Sequence, residues 1–298
     1  MKRSVTILMS TYNGEQYLCQ QIASILHQQD VEIILLVRDD GSTDSTITIL
    51  DEYATKGLLS WYKGSNIGPA MSFMQLLKDA PPSDYYAFAD QDDYWMADKI
   101  SVAISALQQS DKPSLYFCRT QPVDEHLQPL SSAISYPLLT FGESLVYSIV
   151  SGCTMVFNNQ LKEVVNSYCP SFVAMHDVWV YIIAQAIGSN IIFDPQPHIL
   201  YRQHNNNAIG QGYSMLHEMK RRWLRISRHE QVRYHTAVEL LQGFSELVTT
   251  ENLPLLQLFV QSKNNIFKRI NLLFCREFRC ANNVTWWLFK LSVLLNQY

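Results

Sequence analysis

Three carboxylates fall within four positions at Asp90-Gln91-Asp92-Asp93, directly after the apolar run Tyr85-Tyr86-Ala87-Phe88-Ala89. Acidic groups delivered together from a rigid strand end repel one another. A hard divalent cation such as Mg²⁺ or Mn²⁺, which takes oxygen ligands and bridges them to phosphates, relieves that repulsion. A solvated acidic turn capping the next helix is the plainer alternative, and the crowding favours the cation. A second cluster, Arg38-Asp39-Asp40-Gly41-Ser42-Thr43-Asp44, also follows an apolar run. Capping by Ser42, Thr43 or Asp44 explains its last part. The two carboxylates ahead of Gly41 are placed to hydrogen-bond a nucleotide base or ribose. Ser10-Thr11-Tyr12-Asn13-Gly14 and Gly64-Ser65-Asn66-Ile67-Gly68 read equally well as turns and as places where backbone approaches a ligand closely. Neither matches the Gly-x-Gly-x-x-Gly or P-loop pattern, so dinucleotide oxidoreductases and P-loop phosphotransferases lose support. A nucleotidyltransferase would also use carboxylates and a metal, but its glycine-rich phosphate loop with nearby basic residues is missing.

The elements that must position these clusters follow from hydrophobic periodicity. Residues 5–9 form a buried strand, 17–26 a helix with apolar positions 18, 22, 25 and 26, and 32–37 a second strand. A helix over about 43–53, a strand near 59–62, a helix over about 70–77 and a strand at 85–89 continue the alternation. This order predicts an α/β fold with a doubly wound, mostly parallel sheet and helices on both faces. Ligands in such sheets sit beyond the carboxyl ends of the strands, which is where the polar clusters fall. Residues 110–210 look mixed, with a strand near 115–118 and a helix after His176-Asp177. Beyond Gly210 the pattern is helical and basic.

Residues 1–210 carry 11 Lys+Arg against 21 Asp+Glu, and residues 211–298 carry 12 against 6. An acidic front suits metal chemistry and argues against nucleic acid as a partner. The six cysteines include no Cys-x-x-Cys pair, so neither a zinc site nor a disulfide framework is expected, and reduced cytosolic thiols fit best. The basic and apolar start is too short for a signal peptide, and no stretch is long enough to span a bilayer. Any membrane contact is therefore expected at the interface, on the inner face of the cytoplasmic membrane. Asn283-Val284-Thr285 fits a glycosylation sequon, which means little in a cytosolic chain.

Taken in order, Ser10-Thr11-Tyr12-Asn13-Gly14, Asp39-Asp40-Gly41-Ser42-Thr43-Asp44, Asn66-Ile67-Gly68 and Phe88-Ala89-Asp90-Gln91-Asp92-Asp93-Tyr94-Trp95 with Asp98-Lys99-Ile100 resemble family 2 glycosyltransferases of GT-A fold. The Asp-Gln-Asp-Asp-x-Trp form resembles bacterial polysaccharide rhamnosyltransferases. The likeness is strong over residues 4–108, fair to about 210 and absent from the tail. It implies a GT-A domain over 1–210, with a nucleotide and metal half (1–108) and an acceptor half (109–210), followed by a helical basic region (211–298).

The resemblance also implies roles. Thr11, Tyr12 and Asn13 would line a nucleotide pocket, with Asn66 beside it, and Asp40 would contact the pyrimidine base. Asp90 and Asp92 would form the Asp-x-Asp element, with Asp92 the principal Mg²⁺ or Mn²⁺ ligand and Asp90 toward the ribose. Gln91 would belong to the donor site, and Asp93 would face a sugar. Asp177 would be the general base of an inverting transfer, His176 replacing the commoner glutamate, although helix capping explains Asp177 too. Arg202 and His204 would approach the diphosphate and metal, His204 as a ligand. Expected partners are a nucleotide-sugar donor such as dTDP-rhamnose and a saccharide or lipid-linked saccharide acceptor. A Gln-x-x-Arg-Trp signature is absent, because Met219 stands where the glutamine belongs before Arg222-Trp223, which argues against a processive synthase. Lys220, Arg221, Arg222, Arg225, Lys268, Arg269, Arg276 and Arg279, with Trp286 and Trp287, suit an anionic bilayer; a packed subdomain or a homodimer interface suits them equally.

Overall fold

The computed structural model describes residues 2–131, 136–204 and 231–298. The basic stretch from Lys220 to Arg228 and the missing signature around Met219 lie outside the described residues. Eight strands form one sheet in the order β3-β2-β1-β4-β7-β6-β8-β5. They are β1 (Arg3–Thr11), β2 (Val31–Asp39), β3 (Ser60–Lys63), β4 (Tyr85–Ala89), β5 (Tyr94–Trp95), β6 (Ser114–Val123), β7 (Val156–Asn158) and β8 (Asn190–Arg202). The half from β3 to β4 is all parallel, and β7 then runs antiparallel to both β4 and β6.

Helices α1 (Leu18–Leu26), α2 (Thr46–Thr55) and α3 (Pro69–Asp79) cross between strands of this half, and α4 (Lys99–Leu107), α5 (Phe141–Val146), α6 (Asn159–Asn166) and α7 (His176–Ala186) serve the second. All five residues of β4 are buried, as expected of a strand covered on both faces. Parallel register sets Thr11 beside Asp39 and Met9 beside Ala89, so the clusters after β1, β2 and β4 emerge on one edge.

Two expectations shift. The helix expected from about residue 43 starts at Thr46, because the loop amides are already taken: Thr43 N donates to Asn13 Oδ1 (2.9 Å) and Ser42 N to Asp39 Oδ1 (2.9 Å). The 13-residue β8 was not legible, because Pro195 and Pro197 demote a strand pattern. Here the pairing steps from Cys118↔Asp194 to Arg119↔Pro197, so the prolines fall at an irregularity and the ladder resumes beyond it. Its far end pairs with β5 and carries residues 199–202 back to the acidic loop.

The C-terminal helices α8 (Val232–Phe244), α9 (Leu253–Gln261), α10 (Ile266–Phe274) and α11 (Asn283–Leu294) share a core with the sheet's second half, through Phe244, Phe259, Leu272, Phe289 and Tyr298. No helix among the described residues is long and apolar enough to cross a membrane. The junction is tight where α5 meets residues 276–278, since a Cβ at Gly142 would lie 2.0 Å from the Glu277 carbonyl oxygen. Backbone cannot swing aside as a flexible side chain does. Gly142→Ala is therefore expected to cost about 1–3 kcal/mol of stability, read as a lower urea midpoint; an unchanged midpoint would show that this junction contributes little.

Candidate active site

The first two loops brace each other. Asp39 accepts from Gly41 N (3.1 Å), Ser42 N, the Ser42 hydroxyl and Thr11 Oγ1 (3.3 Å). Asp40 accepts from Gly68 N (2.9 Å) and Ile67 N (3.1 Å) and pairs with the Arg38 guanidinium. Arg38 also donates to Ser72 Oγ (3.0 Å) and Ser65 O (2.9 Å). Thr11 and Asp40, expected to line a nucleotide pocket, are buried, and their side chains are spent on holding the loops, because a loop amide left unpaired in this interior would be costly. Asn13 adopts a left-handed φ of 47° and clasps Thr43. Tyr12 and Asn66 remain exposed beside them.

Gln91 is a brace as well. Its Oε1 accepts from Tyr12 N (2.9 Å) and its Nε2 donates to Tyr12 O (3.1 Å), and a Cβ at Gly14 would lie 2.3 Å from Gln91 Oε1, so a side chain there would displace this brace. The sequence expectation placed Gln91 on the donor; the geometry gives it the backbone that presents Tyr12.

Arg202 differs from expectation in the same way. It is 1% exposed, donates from Nε to Asp92 O (2.8 Å), from its backbone N to Asp93 Oδ1 (3.1 Å) and from its other nitrogens to Glu125 O and Gln20 Oε1, and stacks over Tyr17 at 4.3 Å. A guanidinium so committed is a clamp on the acidic loop.

The clamp sorts the carboxylates. Asp92 is partly exposed, and its Oδ2 lies 2.9 Å from His204 Nε2. Asp90 is partly exposed beside it, its pKa pushed up to about 7 by desolvation and by the charges of Asp92 and Asp177. Asp93, expected to face a sugar, is fully buried, and desolvation raises its pKa well above the usual carboxylate range, with Asp92 and Asp90 adding to the rise. Beneath it lie Cys153 and Lys99. The Lys99 ammonium is fully buried 3.6 Å from the Trp95 ring centroid, its pKa lowered to about 8 by desolvation against the pull of Cys118, Cys153 and Asp93.

Two donor sets emerge. Oxygens of Asp90 and Asp93 with Cys153 Sγ lie within 4.8 Å of one another, but Asp93 and Cys153 are sealed in and Lys99 already supplies positive charge nearby. Asp92 and His204 are both partly exposed, with Asp90 alongside. Ligands about 2.1 Å from an octahedral ion stand about 3 Å apart in adjacent positions, and the Asp92–His204 separation fits that spacing. Carboxylate with imidazole suits Mn²⁺ at least as well as Mg²⁺.

Asp177 lies in the first turn of α7 and is 6% exposed. Its Oδ2 accepts from Gly152 N (3.1 Å) and Oδ1 from Val178 N (2.7 Å), and burial lifts its pKa to about 6 against those hydrogen bonds. A carboxylate poised there is a serviceable base near neutral pH. His176 is packing: its ring stacks on Phe73 (4.0 Å) and meets Phe88 edge-on (4.7 Å), neither ring nitrogen has a hydrogen-bond partner among the described residues, and burial lowers its pKa to about 3. A Cβ at Gly152 would lie 2.4 Å from His176 Nε2, so a side chain there would displace the His176 ring from its aromatic stack. Reading the sequence did not single out Tyr17, Arg38, Lys99 or Cys153 for the site. Lys99 alone left a signal, since a cation in the first turn of a helix opposes the helix dipole and calls for an acidic neighbour.

Residues 6–165 match the family model described as Glycosyl transferase family 2. The dTDP-rhamnosyl transferase RfbG of Shigella flexneri is 30% identical over 230 residues, covering 72% of this chain and 77% of that protein. The putative teichuronic acid biosynthesis glycosyltransferase TuaG of Bacillus subtilis is 26% identical over 162 residues, covering 53% and 64%. Among solved structures, S. aureus TarS 1-349 in complex with UDP superimposes with a TM-score of 0.59 at 17% identity, covering 99% of this chain and 92% of that one. The mannosyltransferase PcManGT of Pyrobaculum calidifontis, in complex with GDP-Man and Mn²⁺, gives 0.56 at 17% identity, covering 100% and 86%. These likenesses place the fold among GT-A glycosyltransferases.

His176 generates a pH prediction. Its folded pKa of about 3 lies below the ordinary 6.5, so between those values the unfolded chain binds the extra proton and the histidine's contribution to stability falls as pH falls. Replacing it by phenylalanine removes this term. Relative to wild type, His176→Phe is expected to gain about 2 kcal/mol on going from pH 7 to pH 5, measured by urea unfolding at both; a pH-independent difference would mean the folded imidazole takes up its proton as readily as in the unfolded chain.

Proposed function

The chain belongs to glycosyl transferase family 2, and from that premise we propose that it moves a sugar, L-rhamnose from dTDP-rhamnose, onto a saccharide or lipid-linked saccharide acceptor with inversion at the anomeric carbon. The observation that carries the reading is the division of carboxylates at one sheet edge. Asp92 and His204 pair with each other, both partly buried, while Asp177 is held by two backbone amides close enough for its charge to raise Asp90. Rhamnose is supported by the RfbG relative at 30% identity. Another UDP- or dTDP-sugar is the second reading, supported by the TarS structure bound to UDP-GlcNAc.

In this proposal Asp92 and His204, with Asp90 beside them, hold Mg²⁺ or Mn²⁺. The ion, when bound, neutralises charge on the departing diphosphate. Tyr12 and Asn66, exposed on the neighbouring loops, flank the nucleoside, and the buried Asp40–Arg38 pair keeps the loop carrying Asn66 in place. Asp177 takes the proton of the acceptor hydroxyl as that oxygen attacks the anomeric carbon. The bond from the anomeric carbon to the diphosphate oxygen breaks, and its electron pair leaves with the nucleotide. One displacement inverts configuration, so a β-linked rhamnosyl donor gives an α-linkage.

Calorimetric titration of dTDP, UDP and GDP, with and without Mn²⁺, tests the donor site. Mn²⁺-dependent binding of one diphosphate, lost in Asp92→Ala, is expected; binding of none would remove the basis of the reading. Asp177→Asn should retain that binding and lose about 10²–10⁴-fold in turnover. A base with a pKa near 6 must be ionised to act, so the wild-type rate should fall about tenfold per unit below pH 6. A flat acid limb in a stopped pH–rate assay would exclude Asp177 as the base.

A further inference from the structure

Two helices at the C-terminus leave apolar faces uncovered. On α10, Ile266, Phe267, Ile270 and Phe274 are exposed, with Phe267 at 80% and Phe274 at 78%; on α11, Trp287 is 63% and Leu294 62% exposed. Both helices bury their opposite faces, through Leu272 and through Phe289 and Val293, in the same core cluster, and they pack against each other. Their outer faces therefore point away from the protein side by side. Single exposed apolar residues are ordinary, but aromatics clustered on adjacent helices mark an interaction surface.

Charge identifies the occupant. Residues 262–298 hold six Lys or Arg and one acidic residue, Glu277. Lys268, Arg276 and Arg279 are exposed around the apolar face, and Lys290 lies 3.9 Å from the Trp286 ring centroid and 5.2 Å from that of Trp287. A two-fold contact between copies of this chain would bring these cations against themselves. An anionic lipid surface pairs with them while its acyl boundary takes up the aromatics. At 9 and 12 residues the helices are about 13 and 18 Å long, too short to cross a hydrocarbon core of about 30 Å. They suit lying in the plane of the interface.

We propose that the outer face of α10 and α11 docks this protein on an anionic membrane surface, inserting Phe267, Phe274 and Trp287 among the lipids under a collar of Lys and Arg. Docking requires no turnover and stands apart from the donor site. Full-length protein is tested by sedimentation with phosphatidylglycerol-containing vesicles and with pure phosphatidylcholine vesicles. Binding to the anionic vesicles at low salt, weakened by added salt and at least about tenfold weaker for Phe267→Ser/Phe274→Ser/Trp287→Ser, is the expected result. These side chains are exposed, so the variant should keep wild-type circular dichroism and wild-type dTDP binding, which separates lost docking from lost folding or a failed donor site. Absence of binding at low salt, undiminished binding by the variant, or a concentration-dependent dimer that the variant abolishes would each overturn the proposal.

Discussion

Four carboxylates, Asp90, Asp92, Asp93 and Asp177, must share one sheet edge without forcing it apart, and the rest of the site is arranged around that constraint. Like charges at this spacing raise each other's pKa, and burial raises it further. The fold gives each a different environment. Asp92 pairs with His204, Asp93 is buried over Lys99, Asp90 lies between them, and Asp177 is withdrawn to the start of α7 under two backbone amides. Arg202 makes the sorting possible, because one planar cation seizes the backbone of Asp92 while its own amide fixes Asp93.

The interior beneath this edge is kept electrically quiet. Had His176 been charged, it would have pulled down the pKa of the adjacent Asp177; ringed by Phe73 and Phe88, it is held neutral. Asp177 is then governed by desolvation and leaves its proton near pH 6. Lys99 lies close enough to Asp93 for each to influence the other's charge, which places a buried cation beneath the acidic loop. Side chains that look superfluous to the reaction thus set its electrostatics.

The C-terminal helices extend the same core. Phe244, Phe259 and Phe289 join the cluster that includes Trp179 and Ile183 of α7, the helix that carries Asp177. Among the described residues, the helices also meet α5 closely where Gly142 lies under Glu277.

Much of this was legible in the chain. The alternation of periodic segments pointed to the parallel half of the sheet, and the position of each polar cluster after an apolar run placed those clusters on one edge, because parallel strands joined by helical crossovers all end on the same side. Family resemblance pointed to Asp92 and His204 as metal ligands, and the structure brings the two side chains within 2.9 Å of each other. The loop-holding bonds of Thr11, Asp40, Gln91, Asp93 and Arg202 were not legible, since a sequence shows that a polar residue is near a strand-end loop but not whether its hydrogen bonds go outward or back into the loop. That choice depends on which backbone amides stand unpaired nearby, and residues 27 to 182 positions apart decide it: Ile67 and Gly68 for Asp40, Gln20 for Arg202. Local sequence fixed which groups are present at the edge; only tertiary packing decided which were left free to meet a substrate.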